Sequence, residues 1–159
     1  MPIYLKFGAL QGSVTEEGHK NWIELNSFQF GVGRGISSPT GSQKDRDASA
    51  PSFSEITCTK SQDEASLPLL EAAWGGSEAV DAEIHFVRTE NKKMDVYLKY
   101  KLSDVLISGY SVSSGGDRPT ESLSLNYAKI EFAQDTFDTK NKSKQNKSTT
   151  YDLAAGKQV

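Results

Sequence analysis

The chain has 159 residues and a mass of 17.4 kDa, with 36% hydrophobic and 25% charged side chains and a net charge of −3 from 18 basic and 21 acidic groups. That length predicts one domain around one core, and the charge gives no electrostatic case for nucleic acid, whose readers carry a concentrated basic face. No apolar run approaches the ~20 residues of a membrane span, residues 1–10 lack the basic start and apolar stretch of a secretory signal, and the lone Cys58 excludes an internal disulfide framework, so a soluble product held by packing alone is expected.

Residues 3–7 read as a first strand. The next, 22–32, changes phase part-way: Ile23 and Leu25 occupy odd positions, whereas Phe28, Phe30 and Val32 occupy even ones. A side-chain period of two cannot switch parity without an inserted residue or a sharp bend, which predicts a bulge near Asn26. Residues 33–50 hold three glycines, four serines, a proline and five charged residues with no apolar period beyond Ile36, and are expected to form a long mobile excursion. A strand over 53–59 follows. Between Ser66 and Gly76, Leu70, Ala73 and Trp74 recur at three- and four-residue spacings, Ser66 can cap the start, Pro68 sits in the first turn, and Gly75 and Gly76 stop the run. This predicts one amphipathic helix whose apolar stripe packs on the sheets.

Val80, Ala82, Ile84 and Phe86 then alternate with Asp81, Glu83 and His85, and Met94, Val96, Leu98, Tyr100 and Leu102 do the same against Asp95, Lys99 and Lys101. With the short polar stretch 89–93 between them, these runs predict an antiparallel hairpin. Strands over 104–112 and 121–132 flank a tight connector at 113–121, and the second shifts phase between Tyr127 and Ile130, which predicts a bulge near Ala128. Long strands that bend in this way suit a barrel; the other reading is that both faces are buried, one by the core and one by a neighbouring subunit. The last segment, 137–159, carries five lysines against Asp138 and Asp152, +3 where the rest carries −6. Residues 138–150 contain no apolar side chain, so 137–150 is read as a solvated Lys-rich segment.

No catalytic constellation stands out. His19 and His85 are the only imidazoles, and neither stands in a recognisable context with a serine or with Cys58. His85 falls on the polar face of its strand, which predicts exposure, and His19 lies in a polar loop. There is no metal motif, and Gly31-Val32-Gly33-Arg34-Gly35 has the wrong glycine spacing for a dinucleotide loop. Asn141-Lys142-Ser143 and Asn146-Lys147-Ser148 match the glycosylation pattern by chance in a polar stretch. No cofactor and no enzymatic activity are expected.

The stretch Gly18-His19-Lys20-Asn21-Trp22-Ile23-Glu24-Leu25-Asn26-Ser27-Phe28-Gln29-Phe30-Gly31 resembles the hallmark segment of the Hcp family, the tube proteins of type VI secretion systems. Thr59-Lys60 with Asp63, Ser66, Pro68 and Leu69 is similar to the family's strand-to-helix junction. Val105 to Tyr110, Gly116-Asp117-Arg118-Pro119-Thr120-Glu121 and Leu123 to Ile130 resemble its last two strands and their connector. The likeness spans about residues 3–153. Pro68 stands one place later than the family's serine-proline pair, and an aromatic pair that is often tryptophan appears as Phe28 and Phe30.

The resemblance implies a mainly β fold, an antiparallel two-sheet β-barrel with one flanking α-helix, six copies in a ring, and rings stacked into a hollow tube. Such tubes lie beneath a spike and inside a contractile sheath, which would make spike and sheath proteins partners along with further copies of the chain. They are exported on contraction without a cleaved signal, and some carry small effector proteins in the lumen; the product is cytoplasmic when synthesised, with no membrane insertion. A ring needs two different complementary patches on each subunit, and a stack needs the same of top and bottom. On that basis Arg34, Asp45 and Arg46 in 33–50 are expected to meet a neighbouring ring, and Asp117, Arg118 and Glu121 to lie at a subunit boundary. Ser27 and Gln29, opposite Phe28 and Phe30 by alternation, are the candidates for the lumen wall, although the parity switch at Asn26 leaves the reverse orientation open. Two other readings remain: a monomeric binding module whose 33–50 loop recognises a sugar or peptide, and a phage-like tail tube subunit.

Overall fold

Alternation along the chain decides where strands form, and what lies at each parity switch decides how they join. The computed structural model describes residues 1–159 except 38–39, 42–46, 76–77, 91 and 138–143. In chain order the elements are β1 (Ile3–Phe7), a 3₁₀ turn (Glu17–His19), β2 (Ile23–Leu25), β3 (Ser27–Gln29), β4 (Val32–Gly33), β5 (Ile36–Ser37), β6 (Asp47–Ala48), β7 (Ser52–Phe53), β8 (Ile56–Ser61), α1 (Ser66–Ala73), β9 (Val80–Glu90), β10 (Lys93–Ser113), β11 (Thr120–Asn126), β12 (Lys129–Phe137), β13 (Lys144–Asp152) and β14 (Lys157–Gln158).

Apart from β4 to β7, which form two pairs of their own, two antiparallel sheets share these strands. The first runs β2-β1-β9-β10-β12-β13-β14; the second runs from the C-terminal half of β10 through β11 and β8 to β3. At both parity switches the expected bulge is instead a break between two strands, where the chain passes from one sheet to the other. Asn26 separates β2, paired with β1, from β3, paired with β8, and its amide donates to the Thr59 carbonyl at 2.7 Å. Tyr127 and Ala128 separate β11, in the second sheet, from β12, in the first. A strand that changes sheets must turn its apolar side chains toward the same core from a new direction, and a switched parity does that. The two sheets, joined through β10 and by the turn at Asn26, enclose a core that includes Leu5, Ile23, Ile56, Ile84, Leu102 and Leu123, each at most 1% exposed. Each such side chain contributes about 1.5–3 kcal/mol of hydrophobic stabilisation.

Four expectations are corrected. Residues 94–102 and 104–112 are one strand, β10, bent where Asp104 takes a φ of 53° and the β9 register slips between Leu102 and Val105. The excursion 33–50 is paired where described: β4 with β7 and β5 with β6, braced by Gly31 N–H to Ser54 Oγ and Gly35 N–H to Ser49 Oγ, both 2.9 Å. It is a two-stranded arm. The Lys-rich segment is also structured from residue 144 on, since β13 pairs with β12 along its whole length. Backbone ladders do not require apolar side chains, and a strand outside the core can be polar on both faces.

Finally, the helix buries a different stripe. Ala65, Leu69, Ala72 and Ala73 face the core, while Trp74 is 69% and Leu67 66% exposed. No side chain caps the helix at Ala65; the Asp63 carboxylate instead accepts from the Ala65 amide at 2.9 Å, and Ser66 Oγ accepts from the Asp63 amide at 3.0 Å.

Candidate functional site

In the second sheet the register brings hydroxyl side chains into rows on the face turned away from the core. Ser27 lies opposite Thr59, which lies opposite Ser122, which lies opposite Ser111. Gln29, Thr57 and Ser124 form a second row ending at Gly109, and Ser61, Thr120 and Ser113 a third. No residue in these rows is charged. Their neighbours at the alternate positions, Phe28, Cys58 and Leu123, pack inward. Ser27 Oγ and Thr59 Oγ1 share a hydrogen bond of 2.6 Å, Asn26 Nδ2 donates to Ser61 Oγ at 3.2 Å, and Ser108 Oγ lies against the Glu55 carboxylate.

Ser27 and Gln29 are exposed, whereas the rings of Phe28 and Phe86 stand 5.1 Å apart and those of Phe28 and Tyr100 4.9 Å. Within the protomer, serine and glutamine therefore face out and Phe28 faces in. Thr57, Thr59, Ser111, Ser122 and Ser124 were not singled out by sequence reasoning. Their signal was present as hydroxyl residues interleaved with Ile56, Cys58, Leu123 and Leu125, but nothing local shows that β3, β8, β11 and β10 lie side by side.

Both edges of this sheet are open. Among the described residues, β3 and residues 106–113 of β10 each pair with a strand on one side only. Such an edge presents unpaired N–H and C=O groups to solvent or to another chain.

The other expected contact residues divide. Asp117 and Arg118 are exposed in the β10–β11 connector, and Arg118 lines a polar cleft of about 430 Å³ with Glu24, Asn26, Gln62, Asp63 and Glu64. Arg34 is exposed between β4 and β5; Asp45 and Arg46 lie outside the described residues. Glu121 is inside the protomer, 1% exposed, and its carboxylate accepts from Lys60 Nζ and Tyr110 Oη at 2.6 Å each. Lys60, itself fully buried, also lies 2.8 Å from Asp63 Oδ1 and donates to the Ser61 carbonyl and Ser66 Oγ. Burial would raise the Glu121 carboxyl, but the hydrogen bonds from Lys60, Ser66 and Tyr110 prevail and hold it below its ordinary value. Its place is thus in a charged knot that ties β8, β11, β10 and the start of α1 together, and no longer on a subunit boundary.

His85 is likewise buried, 8% exposed, against the expectation from alternation, because the chain before β2 folds over that face of β9. His19 Nε2 and His85 Nδ1 are 2.9 Å apart; Glu16 Oε2 is 2.5 Å from His19 Nδ1, and Glu83 Oε2 is 3.1 Å from His85 Nε2. Tyr4 and Trp22 cover the pair. Three gaps between two carboxylates and two rings need three N–H protons, so the relay is complete when one ring carries two and the other one. Desolvation pushes His85 down to about 4, Glu83 opposing it and His19 and Lys99 adding to it. A neutral His85 with its proton on Nε2 donates to Glu83 and accepts at Nδ1 from His19 Nε2.

Cys58 is buried beneath the hydroxyl face, and desolvation raises its thiol to about 12, which leaves it unreactive. Among the described residues no group of three or more His, Cys, Asp or Glu side chains is placed to hold a metal ion.

Comparison with known proteins bears on this geometry. The family model described as "Type VI secretion system effector, Hcp" matches residues 4–134. Among solved structures, one described as a type six secretion system protein is 27% identical and superposes with a TM-score of 0.89, covering 99% of both chains. Hcp1 from Salmonella typhimurium superposes at 0.75 with 20% identity, over 99% of this chain and 98% of the other. A type VI secretion system effector from Yersinia pestis superposes at 0.72 with 20% identity, over 94% and 98%. No curated protein matches the chain in sequence.

Proposed function

The chain belongs to the Hcp family of type VI secretion system effectors, and from that membership we infer that it is a tube subunit: it closes into rings of six, the rings stack, and the uncharged hydroxyl face lines the bore. The observation that carries this is the second sheet, with three rows of uncharged polar side chains set between two open strand edges. An edge at each side lets copies add head to tail, and a heterologous contact that repeats with the right rotation closes a ring. Hydroxyl groups facing the bore hydrogen-bond to water and to passing polypeptide without fixing either by charge, so Ser27 and Gln29 would let a cargo slide.

The arm gives the stack its second contact. A two-stranded ribbon alone is marginal in water, and Val32 and Ile36 on it are 57% and 48% exposed. Arg34 lies among them, which suits a contact with the next ring. Asp117 and Arg118 in the β10–β11 connector are placed to set register between neighbours in a ring. Spike, sheath and small effectors are the further partners of such a tube, and export on sheath contraction is its destination; the role is structural, with no reaction assigned.

Mass in solution tests the ring. A hexamer gives about 104 kDa, six times 17.4 kDa; lone protomers at every concentration would instead favour a monomeric module that uses the arm for recognition.

A further inference from the structure

The outer face of α1 is apolar where a surface helix is ordinarily polar. Leu67, Leu70 and Trp74 follow a three- and four-residue spacing on one side of the helix, and two of them are about two-thirds exposed. On the helix and its flanks Glu64, Glu71 and Glu78 are exposed and no Lys or Arg occurs between Lys60 and Arg88, while Arg118 stands in the cleft on the Glu64 side. Elsewhere on the molecule lies an open apolar groove of about 460 Å³ walled by Phe30, Val32, Phe53, Phe132 and Tyr151. Lys147 shares the groove-facing parity of β13 with Tyr151, which puts a positive charge on the groove's side of that strand.

These two features sit by opposite edges of the second sheet. The groove continues from β3 through Phe30 and the foot of the arm, while α1 packs against β10, the strand at the other edge. Knob and groove cannot meet within one protomer, but both are apolar, and the helix's Glu71 and the strand's Lys147 are of opposite charge, so they can meet between two. We propose that in the ring the Leu67–Leu70–Trp74 face of one subunit seats in the Phe30–Phe53–Tyr151 groove of the next, with Glu71 and Glu64 against the Lys147 rim. The proposal rests on the ring reading above and names its contact. The apolar centre supplies affinity and the charged rim supplies orientation, since surface ion pairs alone contribute little.

The test uses the full chain. Trp74→Ala is compared with the native sequence by sedimentation across a dilution series, with far-ultraviolet circular dichroism confirming that the subunit is folded. The ring is expected to dissociate at roughly thirtyfold higher protein concentration, as when a buried interface aromatic is truncated. A second chain carries Glu71→Cys with Lys147→Cys and is treated with a short bismaleimide, which is expected to give a ladder of covalent oligomers up to six, while each single-cysteine chain stops at a dimer; buried Cys58 does not compete. Either an unchanged ring in Trp74→Ala or no ladder from the double-cysteine chain, with native rings present, overturns this contact and leaves the ring reading standing. Native protein that sediments only as protomers overturns the ring reading itself.

Discussion

At the residue scale, stability rests on a few buried charges whose partners come from distant parts of the sequence. Lys60 is fully buried against Glu121 and Asp63, so Lys60→Met removes the buried cation from a site that keeps two carboxylates. A loss of about 3–5 kcal/mol is expected in denaturant unfolding, the cost of leaving a buried charge uncompensated. Because the Glu121 carboxyl is held below its ordinary value when folded, its contribution is present above the unfolded value and is lost as pH falls through the folded one. His85 has the same sign for a different reason. Its folded value of about 4 lies below the ordinary 6.5, so the unfolded chain takes up a proton first and stability declines as pH drops from 6.5 toward 4. The groups facing it are Glu83, His19 and Lys99, with Glu16 beyond His19 and Tyr4 and Trp22 as cover. In an urea titration series against pH, His85→Gln should flatten the slope between 6.5 and 4 and leave the lower carboxylate-dependent loss in place. An unchanged slope would remove His85 as its source.

At the element scale, the loop over the histidines is held as tightly as a strand. Gly12 N–H donates to the Asn21 carbonyl at 2.7 Å, Val14 N–H to the Trp22 carbonyl at 3.1 Å, and a Cβ at Gly12 would fall 2.3 Å from the Trp22 oxygen. Backbone on both sides has to move to admit a methyl group. Gly12→Ala should therefore cost about 1–3 kcal/mol in thermal or chemical unfolding, and it should weaken the pH dependence by loosening the cover of His19. The arm has the opposite character, since among the described residues β5 and β6 pair only with each other. Replacing the segment between Gly35 and Ser49 with a short turn should move the thermal midpoint by less than about 3 °C, while abolishing ring stacks seen by electron microscopy. A large drop in the midpoint would show the arm to be part of the protomer's own structure.

At the scale of the whole molecule the surface is organised for repetition. Gln29→Arg sits on the hydroxyl face with open solvent around it, so the subunit should unfold within about 0.5 kcal/mol of the native one and still form the ~104 kDa ring, now with six added charges in the bore and altered cargo retention. Failure to fold would mean that Gln29 faces inward. How much of this was legible follows from the range of each signal. Alternation is local, so β1, the β9–β10 hairpin, the helix and the two parity switches near Asn26 and Ala128 could be read from order alone. The family resemblance, carried by the Trp22 to Phe30 stretch and the later strands, added the architecture. What the chain could not show by itself was which faces other segments cover. His85 alternates like a solvent-facing residue until the His19 loop closes over it, Glu121 looks like a surface charge until Lys60 arrives from another strand, and β13 looks like an unstructured tail until β12 offers its backbone. Period and parity are properties of neighbouring residues, whereas burial and hydrogen-bond partners belong to contacts between residues tens of positions apart, and those exist only once the two sheets have closed on each other.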